Sequence, residues 1–377
     1  MATYNLNYDK LTVQRERFAH PDGLGNVISQ KILAESLRRD SESRLDLNVT
    51  LNDILFITAQ NRSSGPLTRE EMAETARQLL RQAGYSPQNG YDPEAREIRV
   101  DFKGQSPDID HSVSNGGAGD TIVKHGYATS ENALFMPLEY LLLKEMAYKL
   151  DSAFRNKEIK GLAPDGKLNL VFALEDGKPS YAAEVVVAAQ HYADADLNSF
   201  RDDITQKVIL PALGNFYDSN RTRITINGAE RFEHGSPLID TGVKGKKDPS
   251  FLYGDRVHQT GGSIFGKDFG KVDVHASILA RHIAKSLVAQ GVVKDYIEVR
   301  LGYKIGSGQP MVLDFEASGS TLDRIGLDEL VRKNFPLDRD DAVSELRLND
   351  PNLVLLTATE GWFGNDQFPW EKIRTLH

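Results

Sequence analysis

The chain has 377 residues, 40% of them hydrophobic and 26% charged, which suits a soluble protein with two or three cored folding units. Its 54 acidic residues outnumber the 45 basic ones, and a formal net charge of −9 argues against nonspecific binding to nucleic acid or to an acidic membrane surface. There is no cysteine, which excludes disulfides, thiolate nucleophiles and zinc–cysteine centres. The opening MATYNLNYDKLTVQRERF has no apolar core of signal-peptide length, and no run approaches a membrane span, so a cytoplasmic protein is expected.

Helical and strand patterns alternate along the chain. Ile28, Ile32, Leu33 and Leu37 recur at helical spacing and predict an amphipathic helix from Val27. LDLNVTLNDILFIT, from Leu45, reads as strand. REEMAETARQLLRQAGY, from Arg69, predicts a second helix with Gly84 as its C-terminal cap. REIRVDF follows as strand from Arg96, then a helix over 138–150 and strands LNLVFALE from Leu168 and AAEVVVAA from Ala182. The last of these is mostly apolar and is expected to be buried on both faces or at an interface. Helices over 197–213 and 275–290 and the strand YIEVRLGY from Tyr296 complete an α+β pattern. Residues 105–129, 228–247 and 253–271 are glycine-rich and read as long loops, which in a compact chain are commonly functional or mobile.

Two of these loops, HGSPLIDTGVKGKK and GGSIFGKDFGKVD, place Lys244, Lys246, Lys247, Lys267 and Lys271 among glycines. The spacing fits a solvated loop as well as a polyanion cradle, in which glycine allows close approach and lysine supplies compact charge for phosphate. Gly261, Gly266 and Lys267 match the frame G-x-x-x-x-G-K, but Asp268 stands where a magnesium-binding Ser or Thr is required, so a P-loop is not expected. No G-x-S-x-G elbow supports a serine hydrolase. His20 and Asp22 in AHPDG, Gln105 and Asp108 in QSPDID, Asp120 in GGAGD, Asp165 and Lys167 in APDGK, and Asp273 in GKVD each fit singly as turn or cap residues. As a set, several lysines with scattered aspartates suit magnesium-bound polyphosphate, because magnesium takes one or two carboxylates and leaves its other positions to phosphate and water.

HPD, QSPDI, GAGD followed by GYAT and MP, PDGK, ERFEHGSPLIDTGVKGKK, GKDFGKVD, ARHIAKSLVAQG and FGNDQFPWEK, in this order, resemble the S-adenosylmethionine synthetase (methionine adenosyltransferase) family from about Val13 to Lys372. The resemblance implies three related α+β units in pseudo-threefold arrangement, expected over 16–125, over 1–15 together with 126–240, and over 241–377. It also implies a homodimer or dimer of dimers with active sites between subunits. The implied reaction is attack of the methionine sulfur on C5′ of ATP, followed by cleavage of the released triphosphate to pyrophosphate and phosphate.

By the same resemblance His20 is the histidine at the leaving oxygen, and Lys167, Lys246, Lys247 and Lys267 are the phosphate-binding cations, with Lys246 in a usual arginine position. Asp22 and Asp273 hold Mg2+. Phe232 stacks on adenine and Ile305 lines it, while Asp120 and Asp165 lie around the nucleoside and methionine. Asp240, Gln105 and Lys271 hold the methionine amine and carboxylate.

Three departures stand out. Asn48 replaces the glutamate of the monovalent-cation site, which implies weak or absent dependence on K+. Asn61 replaces the glutamate facing the methionine ammonium, and LYGDRVHQTGG replaces a YGG…HGGG loop. Two alternatives therefore stay open: a paralogue that adenosylates another sulfur compound, and a noncatalytic nucleotide-binding regulatory subunit.

Overall fold

The computed structural model describes residues 9–104, 106–175 and 178–377. In chain order the elements are β1 (Lys10–Glu16), α1 (Pro21–Arg39), β2 (Arg44–Leu51), β3 (Leu55–Arg62), α2 (Arg69–Gln82), β4 (Ile98–Gly104), α3 (Pro107–Ser114), β5 (Ile122–Thr129), α4 (Leu138–Arg155) and β6 (Leu162–Glu175). There follow β7 (Lys178–His191), α5 (Leu197–Ile204), α6 (Leu210–Leu213), β8 (Arg223–Ile226), β9 (Gly242–Val243) and α7 (Asp248–Leu252). The last are α8 (Val272–Ala289), β10 (Val293–Tyr303), β11 (Pro310–Ser320), α9 (Arg324–Asn334), α10 (Arg339–Glu345) and α11 (Pro351–Glu360).

Among the described residues these strands form three sheets: β1-β6-β7-β8, β4-β3-β2-β9 and β11-β10-β5. β7 pairs with β8, and β3 with β4, in parallel; the other pairings are antiparallel. This is the expected α+β class. Each sheet joins strands far apart in sequence: β1 to β6, β2 to β9, and β5 to β10.

Local chemistry explains the elements. α1 starts at His20, whose Nδ1 accepts the N–H of Asp22 at 3.2 Å, with Pro21 in the first turn where a missing N–H costs nothing. α2 starts at a capping box: the Thr68 hydroxyl accepts from the Glu71 N–H, and the Glu71 carboxylate accepts from the Thr68 N–H. In β2, Leu45, Leu47, Val49 and Leu51 face the core, while Asp46, Asn48 and Thr50 face outward.

α8 is buried along nearly its whole length against β5 and β10. Gly126 of β5 permits that contact, since a Cβ there would lie 2.1 Å from the Ala280 carbonyl carbon. The C-terminal segment is tied to α8 by Glu371, which takes both Arg281 nitrogens at 2.9 Å and Lys285 at 2.9 Å, all buried.

Two sequence expectations need correction. LDLNVTLNDILFIT is a hairpin, since the chain turns at residues 52–54 and returns as β3. Residues 105–129 are not one loop: they carry α3, with Pro107 at its first position, and β5. The helix expected over 197–213 is present from end to end, with a π-turn at Thr205–Ile209 within it, where Pro211 has no N–H to continue the i→i−4 ladder. AAEVVVAA, expected to be buried on both faces or at an interface, has within one chain Val185, Val187 and Ala189 buried on one face and Val186 and Ala188 half-buried on the other, which leaves the interface alternative. Among the described residues no helix is long and apolar enough to cross a membrane.

Candidate active site

The first cluster forms where the start of α1 docks on β9. The Asp22 Oδ1 accepts the N–H of Val243 at 3.0 Å, and the Asn26 Oδ1 accepts that of Gly245 at 2.8 Å, so α1 holds the GVKGKK stretch. Asp22 is 1% exposed, its Oδ1 lies 3.4 Å from the Lys246 Nζ, and its Oδ2 has no partner among the described residues. The His20 Nε2 lies 3.5 Å from the Asp240 Oδ2. Asp165 is buried in the same neighbourhood; burial pushes its carboxyl up, and the opposing effects of His20 and the Gly166 N–H do not cancel it.

His20, Asp22 and Asp240 each present a ligand atom within 4.8 Å of the other two. A buried carboxylate oxygen without a partner, beside a second carboxylate, matches the needs of a hard divalent cation completed by phosphate and water.

The second cluster joins β5, the 253–271 segment and the first turn of α8. Asp273, 2% exposed, has both oxygens occupied: the Lys267 Nζ lies 2.5 Å from Oδ2 and the Lys124 Nζ 3.3 Å from Oδ1. Burial works against the charge on Lys267, but Asp273 outweighs it, with help from Asp46 and Asp120, and holds the ammonium above its ordinary pKa. Lys271 stands at the N-terminal boundary of α8 and lies 3.7 Å from Asp46. Lys244, buried beneath, donates to the Phe265 carbonyl at 3.2 Å, and burial pushes its pKa down.

The remaining expected residues fall around these clusters. Lys167, on β6 opposite Glu16, and Lys247, at the start of α7, are half-buried, and their ammonium groups have no hydrogen-bond or ion-pair partner among the described residues. Asp120 and Ile305 come together through Thr121, whose N–H bonds Asp120 at 2.7 Å and whose hydroxyl accepts the Ile305 N–H at 2.9 Å. Phe232 is half-buried and positioned by His191, to which it donates at 3.1 Å and from which it accepts at 2.9 Å. Asn48 is exposed on β2. Asn61 lies opposite Leu45, its Oδ1 buried and without a partner among the described residues. Gln105 lies outside the described residues.

Sequence reasoning missed Lys124 and Asp46. The available signal was a charge inside a strand-like alternation, IVKHGYAT for Lys124 and LDLNV for Asp46.

A cavity of about 180 Å3 adjoins the second cluster, lined by Lys124, His125, Asp248, His258, Gly261 and Gly262 among others. A larger one of about 710 Å3, between α1, α4 and the end of α11, is lined by none of the expected site residues.

The model of the S-adenosylmethionine synthetase central domain matches residues 115–232, and that of the S-adenosylmethionine synthetase C-terminal domain matches residues 234–372. The chain is 32% identical over 378 residues to the S-adenosylmethionine synthase of Aquifex aeolicus (strain VF5), covering 99% of this chain and 98% of that protein. It is 34% identical over 362 residues to S-adenosylmethionine synthase 1 of Rhodospirillum rubrum, covering 94% and 93%. It is 32% identical over 375 residues to the S-adenosylmethionine synthase of Desulforudis audaxviator, covering 94% and 93%.

Proposed function

Because the chain belongs to the S-adenosylmethionine synthetase family, we propose that it makes S-adenosylmethionine from ATP and methionine. The methionine sulfur attacks C5′, the C5′–O bond breaks, and the triphosphate leaves with the bond's electrons; water then cleaves it to phosphate and pyrophosphate. A thioether carries no proton, so no general base is required for the first step. The demand falls on the leaving group, whose charge needs preorganised cations. The observation that carries the reading is the pairing of two buried carboxylates with lysines, Asp22 with Lys246 and Asp273 with Lys267.

In this scheme Lys267 and Lys246 exchange their carboxylate partners for phosphate oxygens, and Lys167 and Lys247 stand ready without exchange. Since the Nδ1 of His20 accepts a backbone N–H, the ring carries its proton on Nε2, the nitrogen facing the site, where it can donate to the departing oxygen. Asp22 and Asp273 would hold magnesium, with Asp240 within reach of Asp22; when bound, the ion neutralises charge across the phosphate oxygens. Asp240 and Lys271 serve the methionine amine and carboxylate, together with Gln105, and Asp120, Asp165, Phe232 and Ile305 the nucleoside. The Asn61 oxygen, without a partner among the described residues, suits an acceptor for the methionine ammonium, without the charge of a carboxylate.

The protein works as a homodimer or dimer of dimers in the cytoplasm, with the site between subunits and its units over 16–125, 1–15 with 126–240, and 241–377. The half-buried apolar residues of β7, and exposed Leu238 and Ile239 beside Asp240, support the placement at an interface. The test is incubation with ATP, magnesium and methionine, read by mass spectrometry. S-adenosylmethionine is expected; nucleotide binding without product would favour the regulatory subunit instead.

A further inference from the structure

Lys124 is a buried cation in direct contact with Asp273 to which the scheme above gives no task. It lies on β5 at 8% exposure, where its Nζ donates to the Gly262 carbonyl at 2.8 Å and the Gly261 carbonyl at 3.2 Å and meets the Asp273 Oδ1 at 3.3 Å. Two carbonyls and one carboxylate oxygen around a single positive charge are the ligands a hard monovalent cation would take. The arrangement is built into the fold: Lys124 and Gly126 share the buried face of β5, and the missing side chain of Gly126 lets α8, which carries Asp273, lie close.

The division of labour around Asp273 follows. Phosphate reaching Lys267 releases the Oδ2, whereas Lys124, caged under Gly261 and Gly262, keeps the Oδ1. We propose that Lys124 is a tethered internal cation: a positioning residue that fixes the rotamer of Asp273 and the backbone of residues 261–262, so that the Oδ2 is the oxygen presented to metal and phosphate. This deepens the proposed adenosyl transfer and rests on it. A covalently attached ammonium also removes the need for a free monovalent ion to order this segment.

The test compares wild type, Lys124→Met and Lys124→Arg in tetramethylammonium, potassium and methylammonium salts. Wild type is expected to turn over at similar rates in all three. Lys124→Met should lose about 10²-fold in kcat in tetramethylammonium, because a carboxylate displaced by about 1 Å costs that much. Potassium or methylammonium should restore at least part of that loss, and Lys124→Arg should retain more activity than Lys124→Met. Amide hydrogen exchange over residues 253–271, measured on ligand-free protein, should quicken in Lys124→Met and slow again with potassium. Wild-type kcat in Lys124→Met, or a loss that no cation repairs with exchange unchanged, overturns the proposal. If the wild type makes no S-adenosylmethionine, the function reading fails, and the exchange measurement, which needs no turnover, judges Lys124 alone. If Lys124→Met does not fold, Lys124→Gln replaces it under the same criteria.

Discussion

Gly262 has φ +86, and a Cβ built on it would sit 2.1 Å from the Asp273 Oδ1, where real contacts stay above 3.0 Å. Gly262→Ala therefore carries two penalties. The left-handed backbone costs about 1–2 kcal/mol for a residue with a side chain. The overlap, nearly an ångström short of the closest tolerated contact, must also be relieved, and the carboxylate must withdraw by roughly 1 Å or the loop must lift away. Either movement breaks the arrangement in which Asp273 meets Lys267 at 2.5 Å and Lys124 at 3.3 Å. A misplacement of about 1 Å in a catalytic constellation costs on the order of 10² in rate, so kcat for S-adenosylmethionine formation should fall by that factor while the protein stays folded.

The neighbouring glycine is the control. Gly261 has no positive φ, and its Cβ would meet nothing within 4 Å, so Gly261→Ala should stay within about threefold of wild type. The assay is initial rate by mass spectrometry across a magnesium titration, with thermal unfolding of each variant alongside. Gly262→Ala within threefold of wild type, or Gly261→Ala impaired as deeply, would refute the claim that residue 262 must clear Asp273.

Lys267→Ala should lower both adenosyl transfer and triphosphate hydrolysis by ~10²–10³, since it removes a transition-state charge contact; near-normal turnover would take Lys267 out of the site. Glu371→Gln leaves buried Arg281 and Lys285 short of an anion and should cost about 3–5 kcal/mol in urea unfolding, against little change if the triad were dispensable. Burial pushes Asp248 up to about 6 from an ordinary 3.8, so the folded chain binds the extra proton and loses stability as pH rises between those values. Asp248→Asn should flatten the unfolding profile over that window, and an unchanged slope would reject the assignment. Asn61→Glu should lower the methionine KM with the ATP KM nearly unchanged, and unchanged or weaker methionine binding would mean that Asn61 does not face the ammonium.

The elements with self-contained chemistry were legible from the sequence. α2 announces itself through the helical pattern of REEMAETARQLLRQAGY and Gly84 at its end, and α1 through its periodic Ile and Leu residues behind HPD. The site was legible as a set of residue types, and the fold brings Asp22 to Lys246 across a large separation in sequence, whereas Asp273 and Lys267 are near neighbours along the chain. What was missed depends on tertiary contact. Lys124 reads as a loop lysine until β5 is paired with β10 and covered by α8, because Gly126, a residue that weakens strand propensity, is needed there for helix approach. Likewise the helix read over 197–213 forms, but the π-turn inside it is set by one absent N–H, that of Pro211, rather than by pattern.

The borrowing of strands between distant segments bears on what can be done with pieces of this chain. A fragment cut at residues 115 and 232, where the central-domain match begins and ends, would hold β6, β7 and β8 without β1, and β5 without β10. Both would be left with bare backbone edges, the usual template for aggregation. The same holds in time as in space: β1 emerges during synthesis some 150 residues ahead of β6, the strand it pairs with. Such long-range closure makes for slow, whole-chain folding and a long exposure of unpaired edges. Deletion series and single-domain expression are therefore poor tools for dissecting this protein, and point substitutions in the intact chain are the informative ones.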